Sequence, residues 1–162
     1  MTLIDSSAGA VKTLDAPGAW QKGTSPSVTS QPSKALNIAL WIVQSLLAIT
    51  FVGTGIWKVA TPIPELAAKV PWMGQVSPGF LYVTAVFDLL GGFGIALPSV
   101  TRIKPGLVVP AALGCAAFMS SAIVFHFSRG EAVNTLFNFL LVALSLFVAW
   151  GRRSKAPIAP RD

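Results

Sequence analysis

Hydrophobic positions in this chain fall in long blocks. Apolar residues run from Leu36 to Trp57, Phe80 to Leu97, Leu107 to Phe127 and Ala132 to Trp150, and polar residues collect between the blocks. Each block is close to the roughly 20 residues that a helix needs to cross a bilayer. A membrane barrel would instead show segments of about ten residues with period-two alternation, and the run Phe139-Leu140-Leu141-Val142-Ala143-Leu144 does not alternate. The pattern predicts an all-α fold, an integral membrane four-helix bundle.

Helical spacing inside each block predicts which face turns away from lipid. Asn37, Trp41, Gln44, Ala48, Phe51, Gly55 and Lys58 form one stripe along the first span. Thr84, Asp88, Gly91 and Ile95 share a face of the second, Ala112, Ala116 and Ser120 a row of small residues on the third, and Asn134, Asn138, Leu141 and Ser145 a stripe on the fourth. Small and polar faces are the ones through which membrane helices associate. The linker from Val59 to Gly79 is divided by Pro62, Pro64, Pro71 and Pro78, with Glu65–Lys69 able to form a short helix. It is expected on the outer membrane surface with Trp72 and Met73 dipping in, and reads either as a plain link or as a functional loop.

Composition agrees with the pattern, at 53% hydrophobic and 11% charged residues and a mean hydropathy of +0.67. Residues 1–34, rich in Ser, Thr, Pro, Gly and Ala, are expected to form a disordered cytoplasmic tail. Residues 35–151 hold the four spans, and 152–162 form a basic cytoplasmic tail. Basic residues flank the spans unevenly. Lys12, Lys22, Lys34, Arg102, Lys104, Arg152, Arg153, Lys155 and Arg161 fall on one side, against Lys58, Lys69 and Arg129 on the other. By the positive-inside rule both termini are cytoplasmic, in a bacterial-type plasma (inner) membrane. The net charge of +6 is then accounted for by anionic lipid, with no nucleic-acid partner implied. Cys115 is the only cysteine, which excludes an intramolecular disulfide and a Cys-x-x-Cys motif, and reads as a packing residue.

Asp88 carries the most chemistry, because an ionisable group inside a span faces protein or water and marks a site. It lies about 12 Å along the helix from Phe80. Lys58 has two placements, snorkelling to the surface or bending inward to Asp88. With His126, Asn134 and Asn138 at the same outer end, and Gln44 on the first stripe, these residues form the candidate intramembrane polar site. His126 lacks a second histidine for haem, and a metal would need more ligands than His126 with Glu131 or Asp88 provide. No metal is therefore expected and no cofactor motif is evident, although a quinone fits the apolar outer half.

Three segments carry a family likeness. They are Phe51-Val52-Gly53-Thr54-Gly55-Ile56-Trp57-Lys58, then Asp88-Leu89-Leu90-Gly91-Gly92-Phe93-Gly94-Ile95-Ala96-Leu97-Pro98, and His126 with Arg129-Gly130-Glu131, Asn134 and Gly151-Arg152. In this order and spacing, Leu36 to Arg153 resembles the DoxX-like family of small four-helix membrane proteins. The family is named for a membrane subunit associated with thiosulfate:quinone oxidoreduction, and most members have no assigned chemistry. The resemblance implies a glutamate more often than an aspartate at position 88.

Three readings of function follow. The first is an accessory or structural membrane subunit without catalysis of its own, its loop recruiting a partner membrane subunit. The second is a quinone-binding subunit of a redox complex, with Asp88 or His126 relaying protons. The third is a small proton-coupled carrier working as a homo-oligomer. In none of them is the chain expected to be an enzyme by itself.

Overall fold

The structure is a computed structural model that describes residues 33–132 and 135–161. The expected N-terminal tail, apart from its last two residues, and Asn134 lie outside the described residues. Four long helices dominate: α1 (Lys34–Ala60), α3 (Pro78–Thr101), α4 (Val108–Ser128) and α5 (Thr135–Trp150), with a short α2 (Ile63–Lys69) in the first linker. The helical segments Lys34–Ala60, Pro78–Thr101, Pro105–Ser128 and Thr135–Lys155 are long and apolar enough to cross a membrane.

Local chemistry sets the helix ends. Ser77 Oγ accepts the backbone N–H of Phe80 at 3.3 Å, and Pro78 at the first position of α3 gives up an N–H that the first turn leaves unpaired anyway. The apolar block of the second span closes at Leu97, but α3 continues through a buried Pro98 to Thr101. Proline removes one ladder bond, and neighbouring helices make that loss tolerable in a membrane bundle. The helix stops where Arg102 turns into the left-handed region at φ 59°. Pro62 opens α2, and Pro71–Gly74 then forms a single 3₁₀ turn that buries Met73.

The long helices pack in the ring order α1, α3, α4, α5, each antiparallel to the next. Lys58 of α1 meets Asp88 of α3, while Gln44 meets Ser99 further along. At Gly92, an added Cβ would stand 2.6 Å from Val52 Cγ2 and 3.2 Å from the Ala48 carbonyl, so glycine sets how closely α1 and α3 approach. The central core holds Leu47, Phe51, Ile95, Ala112, Met119 and Leu141. A smaller cluster, Leu66, Met73 and Leu81, fastens the first linker to the start of α3.

Outward faces carry Ile38, Ile42, Ile49, Phe87, Leu90, Leu136 and Leu140, all at least half exposed. Apolar exposure on this scale suits lipid rather than water. Both ends of the bundle's chain and the α3–α4 turn lie together, since Arg152 bonds Asn37 and the Arg161 N–H bonds the Arg102 carbonyl. The first linker and the α4–α5 connection lie at the other end, called here the loop end.

Candidate functional site

Asp88 and Lys58 form a buried ion pair at the loop end. Lys58 Nζ donates to Asp88 Oδ2 at 2.7 Å and to Thr84 Oγ1 at 3.1 Å. Only 2% of Asp88 and 5% of Lys58 is exposed, so of the two placements open to Lys58 the inward one is adopted. Its position follows from α1 continuing past Trp57 to Ala60, which keeps Lys58 on the buried stripe with Phe51 and Gly55. Thr84 stands one turn before Asp88 on the same face of α3 and is itself anchored, its hydroxyl donating to the Leu81 carbonyl at 2.7 Å. The four-carbon stem of lysine spans the gap that the short aspartate leaves. Asp88 Oδ1 takes no hydrogen bond from the described side chains.

His126, in the last turn of α4, lines the same cavity as this pair and is 7% exposed. Its backbone carbonyl accepts the N–H of Glu131 at 2.9 Å, folding the chain back so that Glu131 Oε2 lies 2.8 Å from His126 Nδ1. An ionised carboxylate only accepts, so Nδ1 carries the hydrogen, and Nε2 is the ring nitrogen without a hydrogen-bond partner among the described residues. Arg129 Nε donates to Glu131 Oε1 at 3.1 Å, and Arg129 also bonds Gln75 of the first linker. The hydrogen bond to His126 and the Arg129 charge hold the Glu131 carboxyl below its ordinary value of 4.5.

Trp72 roofs the space between these groups. Lys58 Nζ lies 5.6 Å from its ring centre, and its indole stands edge-on to His126 and Phe125 at 5.9 and 5.6 Å. Beneath it is a cavity of about 540 Å³. Lys58, Asp88, His126 and Asn138 line it, and most of its remaining wall is apolar, with Phe51, Phe118, Phe125, Phe137 and Leu141. The first linker is thus more than a connection, because Lys69 to Met73 form part of the wall of this cavity.

Gln44 stands elsewhere. At the opposite end it donates through Nε2 to Ser99 Oγ at 2.6 Å and accepts from Arg152 Nε. Arg152 also donates to Asn37 Oδ1 at 2.8 Å and the Ala156 carbonyl at 3.0 Å, with Trp41 under its guanidinium at 5.1 Å. The sequence places Arg152 in a basic tail, yet it is 5% exposed. The helix continues past Trp150 as a π-helical turn, Gly151–Lys155, and Gly151 lets Leu40 of α1 lie against the backbone. Asn37 and Gln44, seven residues apart on the stripe facing Gly151-Arg152, are the sequence signal for this network. Arg152 Nη2 and Ser145 Oγ are the buried side-chain atoms without a hydrogen-bond partner among the described residues. No cluster of three or more His, Cys, Asp or Glu suited to a metal occurs among those residues.

The DoxX-like family model matches residues 42–148, which takes in α1 from its third turn, the roof, the ion pair and all but the last two residues of α5. The chain belongs to the DoxX-like family. It has no match among curated proteins or solved structures. As a DoxX-like chain with four spanning helices it is a multi-pass membrane protein. Both loop-end groups fall inside the matched region of this DoxX-like protein, while Arg152 lies just beyond it.

Proposed function

We propose that this DoxX-like protein is a non-catalytic subunit of a membrane redox complex that binds the ring of a quinone-type ligand in the loop-end cavity. One observation carries the reading: an ion pair and a histidine converge on a single apolar chamber of about 540 Å³. Small-molecule sites commonly enclose roughly 300–1,000 Å³, with apolar walls and a few placed polar groups. The residues fit such a ring. Aromatic walls take its faces, Lys58 has a third N–H beyond those given to Asp88 and Thr84, and His126 Nε2 can accept a proton.

A bound quinone supplies two-electron, two-proton chemistry, and the electrons come from a partner subunit. The chain's own task is to hold the ring out of water and to move protons. His126 would take a proton from water at Nε2 and pass it to the ring as the ring is reduced, with Glu131 stabilising the transient imidazolium through Nδ1. Lys58 would hold an oxygen substituent by charge-assisted hydrogen bonding, with Asp88 fixing the ammonium in place. The excess of basic residues at the terminus end supports cytoplasmic termini in a plasma membrane, with the cavity near the outer face.

Titration of the purified protein with a short-chain benzoquinone tests this. Saturable binding is expected, weakened by up to roughly tenfold in His126→Ala, in line with the loss of one hydrogen bond of about 0.5–1.5 kcal/mol. No saturable binding would leave the accessory-subunit reading in its place.

A further inference from the structure

A groove of about 630 Å³ runs between α3 and α4 on the outward face of the bundle. Small residues form its floor, including Gly91, Ala111, Gly114 and Ala117. A Cβ added at Gly114 would meet nothing within 4 Å, so the floor there is open. The groove continues the cavity: Phe80, Thr84, Phe118 and Ser121 line both. One of them, Thr84, holds Lys58, so the groove starts beside the ion pair.

Resting on the quinone-type reading above, we propose that the α3–α4 groove seats the hydrocarbon chain of the same ligand, a prenyl or alkyl chain leaving the cavity past Phe80 and Phe118. The lining favours a chain. It is overwhelmingly apolar, with exposed Val83, Phe87 and Leu90 on the α3 side. A helix of a second copy fits poorly, because Phe87 and Phe118 stack across the two helices with centroids 5.5 Å apart and bar an element about 10 Å wide from the floor. A flexible chain passes beside such rings. The groove thus makes chain length a determinant of affinity, and selects ligands that arrive sideways from the lipid.

The test is equilibrium binding of two probes to the full chain in lipid nanodiscs: a benzoquinone with a decyl chain, and the same ring with a methyl group in its place. Gly114→Leu fills the groove at an exposed position with open space, and Ala117→Leu fills it one turn further on. Both variants are expected to lower affinity for the decyl probe by roughly tenfold, the effect of losing one or two buried methylenes' worth of contact, and to leave the methyl probe within about twofold. Unchanged decyl affinity in both variants overturns the inference and places the chain in bulk lipid. An equal loss for both probes also overturns it, since the substitutions then act through the cavity. If neither probe binds the unaltered protein, the ring site itself is wrong and the groove assignment falls with it.

Discussion

Each end of the bundle buries a cation, and the two are held in opposite ways. At the loop end Lys58 has a carboxylate, Asp88, and borders a cavity. At the terminus end the partners of Arg152 among the described residues are neutral, Gln44, Asn37 and the Ala156 carbonyl, and Arg152 lines neither the cavity nor the groove. The planar fork of Arg152 gives its Nε and Nη1 donors to amide and carbonyl oxygens, leaves Nη2 without a partner among the described residues, and ties α1 to the end of α5. An ammonium next to open space leaves a donor for something else. Buried polarity alone does not make a site. The space beside it does.

Breaking the loop-end pair has the largest expected effect. Asp88→Leu strands the Lys58 ammonium in an apolar core, a change that costs about 3–5 kcal/mol when one partner of a buried pair is removed. Adding Lys58→Met removes the stranded charge and is expected to restore most of that stability, as read by denaturant unfolding in mild detergent, while ring binding stays lost. If the double variant is no more stable than Asp88→Leu, the pair is not the unit described here.

Arg152→Met leaves Gln44 Oε1 and Asn37 Oδ1 without their donor, an expected loss of about 1–3 kcal/mol. Benzoquinone affinity is expected to stay unchanged, because Arg152 stands outside the cavity. A loss of ring binding in this variant would erase the distinction between the two ends.

The smallest effect concerns Glu131. Its carboxyl is depressed in the folded protein, so the stability it contributes is fully present above the unfolded carboxylate value and fades as the pH falls through the lower folded value. Glu131→Gln is therefore expected to melt slightly below the parent at pH 7, with the gap closing as the pH falls through the folded value of the carboxyl. A gap that stays constant throughout the acid range would mean that the carboxylate charge is not what matters.

Much of the fold is written in periodicity. The apolar blocks mark the spans because hydrocarbon demands their length, and the stripe Gln44, Phe51, Gly55, Lys58 is buried because those residues return to one face of α1. Depth along the axis is harder to read. Gln44 and Lys58 share that face yet sit about 21 Å apart along it, which divides the candidate polar residues between two ends. Lys58, Asp88, His126 and Asn138 meet in one cavity, whereas Gln44 joins Arg152. The inward turn of Lys58 depends on α1 running past Trp57 and on Thr84 preceding Asp88 by one turn. Arg152 escaped the pattern because a charge after an apolar block looks like the start of a tail. Its burial comes from the π-helical turn, for which the sequence offers only Gly151. The chamber itself arises from Trp72 folding over helices distant in sequence, which no local periodicity encodes.

Photolabelling with an azido-benzoquinone, followed by mass mapping of the modified peptides, tests the central claim most directly. Adducts on the peptides carrying Trp72, Phe125–His126 and Phe137–Asn138, competed away by unlabelled short-chain quinone, are the predicted result. Competable adducts confined to the Gln44–Arg152 end, or labelling that excess quinone does not reduce, would contradict it.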